Sequence, residues 1–255
     1  ALPILPNESE NLSELILSNM KLSKGPKVVV IGGGTGLSVM LRGLKTKTYN
    51  LTAVVTVADD GGSSGRIRQD LDIIAPGDLR NCLVALADKE GLMEKLFAHR
   101  FGGSGNLSGH SFGNLFIAAL IEVLGDVEGA MDATSKVLKV RGKVIPSSAD
   151  KILLNAELSD GTIVQGESQI PRAHGKIKRV FTTPEHPRAV QSAVDAIRDA
   201  DAIVLGPGSL YTSIMPNLCI PDIAAAVRES KAKKIYICNV MTQPGETDGY
   251  SVADH

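Results

Sequence analysis

Residues 27–36 read KVVVIGGGTG. A β-branched run that stops at consecutive glycines is the pattern of a short buried strand feeding a tight loop. Leu37 to Leu44 follow with apolar side chains at helical spacing, and Leu51 to Val57 (LTAVVTV) form a second β-branched run. Strand, glycine turn, helix and strand in that order make a βαβ unit, which places two parallel strands side by side.

The same rhythm returns near the other end. Ala202 to Leu205 (AIVL) and Lys234 to Cys238 (KIYIC) read as buried parallel strands, with a helical stretch from Ile223 to Glu229 between them. The expected class is α/β, a Rossmann-like, doubly wound, mostly parallel sheet. Between the halves the period changes to alternation. Ile152 to Leu158 and Thr162 to Glu167 flank Asp160-Gly161, a tight-turn pair, so residues 149–183 are expected to form a small antiparallel β insert. Pro184 to Ala200 then reads as a helix leading back to the main sheet. One domain over residues 27–255 is expected, preceded by an extension over 1–26. Met20 suits a natural start, which would make residues 1–19 an extension.

Composition limits the function classes. With 255 residues, 43% of them hydrophobic and 22% charged, the chain can bury a full core. A formal net charge of -1 provides no basic footprint for nucleic acid or an anionic membrane. The N-terminal residues lack the basic start of a secretory signal, and no apolar run is long enough for a bilayer. Cys82, Cys219 and Cys238 have no CxxC spacing and apolar neighbours, as expected for thiols in a reducing cytoplasm.

Glycines after a first strand let backbone N–H groups approach a pyrophosphate, and the next helix adds the positive end of its dipole. Gly32, Gly33, Gly34, Thr35 and Gly36 fit that role, although neither standard signature is complete. Leu37 or Val39 stands where G-x-G-x-x-G needs its last glycine, and no Gly-Lys-Ser/Thr follows. At the end of the second strand Asp59 and Asp60 open ADDGGSSGR, where an acid can hold a ribose or, paired, a hydrated divalent metal. A solvated turn is the plainer reading of the same residues. In PGDLRN, Asp78 is expected to cap the following helix, with Asn81 in its first turn.

Two further loops, LSGHSFGN (107–114) and GPGSLYTS (206–213), present small, hydroxyl-rich backbone suited to anions. The first contains G-x-S-x-G around Ser111, the pattern of a hydrolase nucleophile. That elbow needs a strand directly before the serine, and a polar glycine-rich loop precedes this one. His110 is the better candidate as a ligand contact. No zinc-site spacing occurs.

Taken together, GGGTG, TVADDGGSSGR (56–66), PGDLRN (76–81), SGHSFGN (108–114), GPGSLYTS and NVMTQPGETDGY (239–250) resemble the motifs of the YvcK-like gluconeogenesis factors. These are bacterial relatives of CofD, the 2-phospho-L-lactate transferase of coenzyme F420 synthesis. The resemblance covers roughly residues 27–255, and members of that family continue through further helices. It implies a cytoplasmic protein that binds a nucleotide diphosphate or a UDP-sugar such as UDP-N-acetylglucosamine, with magnesium at Asp59 and Asp60. Asn81, His110, Ser111 and Asn114 would join the glycine loop in the site. Gly206, Gly208, Ser209, Thr212, Asn239 and Thr242 would shape the sugar or base pocket. Growth on gluconeogenic carbon, cell shape, a homodimer and a protein partner in cell-wall synthesis belong to the same implication.

Two readings stay open. A regulatory binder would break no bond; a CofD-type transferase would move a 2-phospho-L-lactyl group from a nucleotide diphosphate donor to the deazaflavin Fo. In the second, Asp59 and Asp60 are the candidate catalytic acids, and Phe112, Tyr211 and Met215 could wall the acceptor.

Overall fold

The computed structural model describes residues 12–88 and 91–255. Residues 1–11 of the expected extension lie outside them; its remainder carries helix α1 (Leu12–Ser23). Strand β1 (Val28–Gly32) is buried along its whole length, as a central parallel strand must be. Helix α2 (Gly34–Leu44) turns Leu37 and Leu41 inward, each contributing about 1.5–3 kcal/mol by leaving water. Strand β2 (Leu51–Val55) then pairs in parallel with β1, from Val28 opposite Leu51 to Gly32 opposite Val55.

A helical stretch follows: α3 (Gly62–Leu71), α4 (Gly77–Leu86), α5 (Gly91–Ala98), α6 (Phe112–Leu124) and α7 (Val127–Val137). The chain re-enters the sheet at β3 (Lys143–Pro146), parallel to β2. Neither β3 nor α3 is among the elements expected from the sequence. β3 has four residues and ends in proline; α3 opens with glycines and serines, which read as a loop. Its helix is formed by packing, with Ser63, Ser64, Gly65 and Ile67 buried.

The insert is present as a three-stranded antiparallel sheet. β4 (Leu153–Leu158) lies between β5 (Ile163–Gln165) and β6 (Ile177–Thr183), and the turn carries Gly161 at φ +89°. Leu154, Ala156, Ile170 and Ile177 belong to the same buried cluster as β1 and β2, so the insert shares the main core. Its two ends meet: Ser148 bridges Ala189, and the Ser148 hydroxyl donates to the Arg188 carbonyl at 2.6 Å.

The expected helix over 184–200 is shorter, spanning α8 (Gln191–Arg198). Pro184 and Pro187 lack N–H donors and bias the residues before them away from helix. β7 (Ala202–Leu205) pairs in parallel with β1 on the side opposite β2. A π-helical turn over Leu210–Ile214, α9 (Met215–Leu218), α10 (Pro221–Glu229) and β8 (Lys233–Tyr236) complete the order β3-β2-β1-β7-β8. Helix α2 packs on α4, and α8 on α10. Among the described residues no single helix is long and apolar enough to cross a membrane.

Candidate functional site

The chain leaves β1 toward β2 and later returns to β7 on the other side. That reversal opens a crevice at the carboxyl ends of β1 and β7, where ligands of open α/β sheets bind. The two glycine loops meet there. A Cβ on Gly36 would lie 2.9 Å from the Pro207 carbonyl oxygen, and one on Gly208 would lie 3.2 Å from Ser213 Cβ and 3.4 Å from the Gly33 carbonyl oxygen. Gly34 and Gly206 have φ of +70° and +82°, the left-handed region where glycine is at ease.

Within GGGTG the glycines do different work. A Cβ on Gly33 would lie 2.5 Å from Thr56 Cγ2 and 2.7 Å from Asp78 Oδ2, so that position is closed by packing. At Gly34 the nearest atom is Ser213 Oγ at 3.5 Å, which leaves the loop open at that point. Thr35 is exposed on the first turn of α2. The N-cap residue of α2, Gly33, has no side chain to offer, and the Gly34 N–H donates instead to Asp78 Oδ2 at 2.7 Å.

Asp78 is therefore not the cap expected for its own helix. The residue at the N-cap of α4 is Pro76, and the Asp78 carboxylate faces the N-terminus of α2 instead. Burial pushes its pKa up to about 6, against the stabilising Gly34 bond, and the Asp59 charge adds to the rise.

Asp59 and Asp60 separate. Asp59 Oδ1 accepts the Gly61 N–H at 2.9 Å, at the entrance to α3. Asp60 Oδ1 accepts the Ser168 N–H from the insert at 2.9 Å, and the Gly166 α-carbon lies so near Asp60 Oδ2 that any Cβ there would collide with it. The two carboxylates serve different elements through their Oδ1 atoms. Among the described residues no three His, Cys, Asp or Glu side chains form a ready metal cage.

Cationic side chains enclose the SGHSFGN loop. Arg66 Nη2 donates to the Ser108 carbonyl at 2.8 Å, Arg100 Nη1 to the Gly109 carbonyl at 2.6 Å, and Arg80 Nη1 to Ser111 Oγ at 2.5 Å. Arg80 Nη2 also donates to Asn81 Oδ1 at 2.5 Å. Arg68 Nη1 is buried with no partner, in the field of Asp60 and Asp59. Guanidinium groups stay charged, and no described carboxylate lies within salt-bridge distance of these four. The result is a positive wall beside the glycine loops.

Inside that wall, His110 Nδ1 lies 3.2 Å from Ser63 Oγ, and burial followed by the Arg66 charge lowers its pKa. Ser111 is fully buried, and its Oγ donates to the Phe97 carbonyl at 3.2 Å. An isolated bridge to Arg100, rather than a strand, leads into it, so the hydrolase pattern has no structural counterpart. Asn114 Nδ2 donates to Ser63 Oγ at 3.3 Å, leaving its Oδ1 buried without a partner.

Beyond β7, Asn239 Nδ2 donates to the Gly208 carbonyl at 3.0 Å, and Gln243 Nε2 donates to Ser209 Oγ at 2.5 Å. Thr242 is exposed on the same loop. Of the proposed acceptor walls, Tyr211 bonds Tyr250, hydroxyl to hydroxyl, at 2.8 Å, whereas Phe112 packs edge-on against Phe97.

Two acids escaped the sequence reading. Glu167, on the insert, is pushed up to about 9 by burial, then by the charges of Asp59, Asp78, Asp60 and Glu246. Glu246 accepts the Thr212 hydroxyl at 3.0 Å on Oε1, and burial raises its pKa. The Oε2 atoms of both are buried without partners. Neither has a local spacing that marks its role, and the unpartnered Oε2 atoms and raised pKa values, known from the fold, single them out.

The family described as 2-phospho-L-lactate transferase CofD matches residues 28–255. The chain belongs to the CofD family. Within it, the chain is 59% identical over 232 residues to the gluconeogenesis factor of Halalkalibacterium halodurans and 56% identical over 234 residues to that of Bacillus subtilis. A Nostoc sp. relative is 56% identical over 250 residues. These alignments cover 91%, 92% and 98% of this chain, but 72%, 74% and 55% of the three relatives. A crystal structure of a Bacillus halodurans protein superposes with a TM-score of 0.88 at 59% identity, over 91% of this chain and 74% of that one. The CofD-family chain is thus a gluconeogenesis-factor relative of the YvcK type, with the parallel sheet and antiparallel insert in place.

Proposed function

We propose that this CofD-family chain binds a UDP-sugar, of which UDP-N-acetylglucosamine is the type, and acts as a regulatory binder in gluconeogenic growth and cell-shape control. The supporting observation is the close meeting of two glycine loops at the strand reversal, with the α2 N-terminus opening onto it. A carboxylate already occupies one amide there, that of Gly34, which marks the turn as favourable to anions. The diphosphate lies against GGGTG and the arginine-held loop, Asp59 takes a ribose hydroxyl, and the loops after β7 and β8 shape the far end. A cytoplasmic homodimer and a cell-wall synthesis partner complete the proposal. In thermal denaturation UDP-N-acetylglucosamine should raise the Tm, since a ligand at a hundred times its Kd adds about 2.7 kcal/mol to native stability. A shift with NAD and none with any UDP-sugar would replace this reading with a dinucleotide enzyme.

The description of the matching family favours a second reading, transfer of a 2-phospho-L-lactyl group to Fo. Incubation with a nucleotide-activated 2-phospholactate and Fo decides it. Multiple turnover would promote the transferase over the binder.

A further inference from the structure

A cleft of about 400 Å³ separates the insert from the C-terminal loop, lined by His174, Gly175 and Lys176 on one side and by Glu246, Asp248 and Tyr250 on the other. That volume falls within the range of small-molecule pockets. Glu246 is the residue through which the cleft meets the crevice. It lines the cleft, is 5% exposed, and is bound through Oε1 to Thr212 on the loop after β7. That loop is the one whose Gly208 approaches Gly33.

The chemistry of the two ends differs. On the side of Arg66, Arg80 and Arg100, guanidinium groups bonded to neutral oxygens can receive phosphate. On the side of the cleft, Glu246 Oε2 is buried with no hydrogen-bond partner. An unsatisfied buried carboxyl oxygen is costly and calls for a donor. Phosphate oxygens are acceptors and would be repelled; the hydroxyl and amide groups of a sugar are donors.

We propose that the cleft receives the sugar of the nucleotide sugar, with Glu246 accepting hydrogen bonds from its hydroxyl groups. The inference rests on the UDP-sugar reading and assigns the ligand a direction: diphosphate toward the glycine loops, sugar between insert and C-terminal loop. Lys176, exposed on the opposite wall, donates to the sugar's oxygens.

Uracil and ribose also carry donors, so the test compares UDP with UDP-N-acetylglucosamine by calorimetric titration of the whole chain. The parent, Glu246→Gln, Glu246→Ala and Lys176→Ala are measured, with circular dichroism as the check on folding. The expected result is that UDP affinity stays within about twofold in every variant, while UDP-N-acetylglucosamine weakens about tenfold or more in Glu246→Ala. Glu246→Gln should fall between, and Lys176→Ala, where folding is not at risk, should lose about threefold for the sugar nucleotide alone. Equal losses for both ligands, or none for either, overturn the sugar assignment while leaving the nucleotide site intact. If Glu246→Ala does not fold, Glu246→Gln and Lys176→Ala decide the question by the same criterion. A parent that binds neither ligand overturns the UDP-sugar reading, and the sugar assignment with it.

Discussion

The Asp78 carboxylate sits 2.7 Å from the Gly34 amide nitrogen, joining the first turn of α4 to the N-terminus of α2 across 44 residues of chain. The protein thus supplies its own anion where the glycine turn faces the crevice. Under the proposed function a diphosphate at this turn would share the site with that carboxylate, so substitution of Asp78 is expected to alter both stability and binding.

Its pH dependence has a defined sign. The native carboxyl, at about 6, holds a proton that the unfolded one, near 3.8, releases, so stability falls as pH rises between those values. A shift of about two units corresponds to about 3 kcal/mol. Asp78→Asn keeps an acceptor for Gly34 and should flatten the fall between pH 4 and 6. Urea denaturation at half-unit pH steps measures it; an unchanged profile rules out Asp78 as the source.

Glu167 acts in the same direction over a wider window, because its native value of about 9 lies far above the ordinary glutamate value of 4.5. The native state retains its proton through neutrality, and stability falls as pH climbs toward 9. Glu167→Gln should therefore be more stable than the parent at pH 8 and nearly equal to it at pH 4. Melting curves at the two pH values test this, and a variant less stable at pH 8 contradicts it.

The neighbouring glycines should respond differently to alanine. At Gly33 the new Cβ meets Thr56 and Asp78, and overpacking of this kind costs about 1–3 kcal/mol. At Gly34 there is room for the methyl group, but φ of +70° imposes a strain of about 1–2 kcal/mol. Gly34→Ala should fold and lose UDP-sugar affinity, whereas Gly33→Ala should show its effect first in Tm. Wild-type affinity in Gly34→Ala would place the diphosphate elsewhere.

Asp59 and Asp60, adjacent in the chain, should separate by assay. Asp60→Ala deprives the Ser168 N–H of its acceptor, at a cost of about 1–3 kcal/mol, and should speed hydrogen exchange at that amide. Asp59→Asn should leave the amide protected and weaken nucleotide binding by about 1–3 kcal/mol. Protection at Ser168 that survives Asp60→Ala would remove Asp60 from the role of anchor.

The βαβ start was legible because β1 and its glycine turn are local signals. Val28 to Ile31 must be buried on both faces, and only β-branched or aliphatic residues do that in a strand. Helix α3 was not, because glycine and serine are poor helix formers and only contacts such as Ser63 with His110 and Asn114 make its face useful. Asp59 was found from its place after a strand. Glu167 was missed because Asp59, Asp78 and Asp60 reach it from segments far apart in sequence, and Glu246 because its partner Thr212 lies 34 residues away on the loop after β7.

The meeting of Ser148 with Ala189 closes the base of the insert. A segment whose ends touch can vary at its exposed turn, Asp160-Gly161, without moving the strands on either side, while its core-facing residues stay tied to the sheet. A change at that turn leaves β3 and α8 where they are, because the Ser148 hydroxyl on the Arg188 carbonyl holds the base of the insert shut.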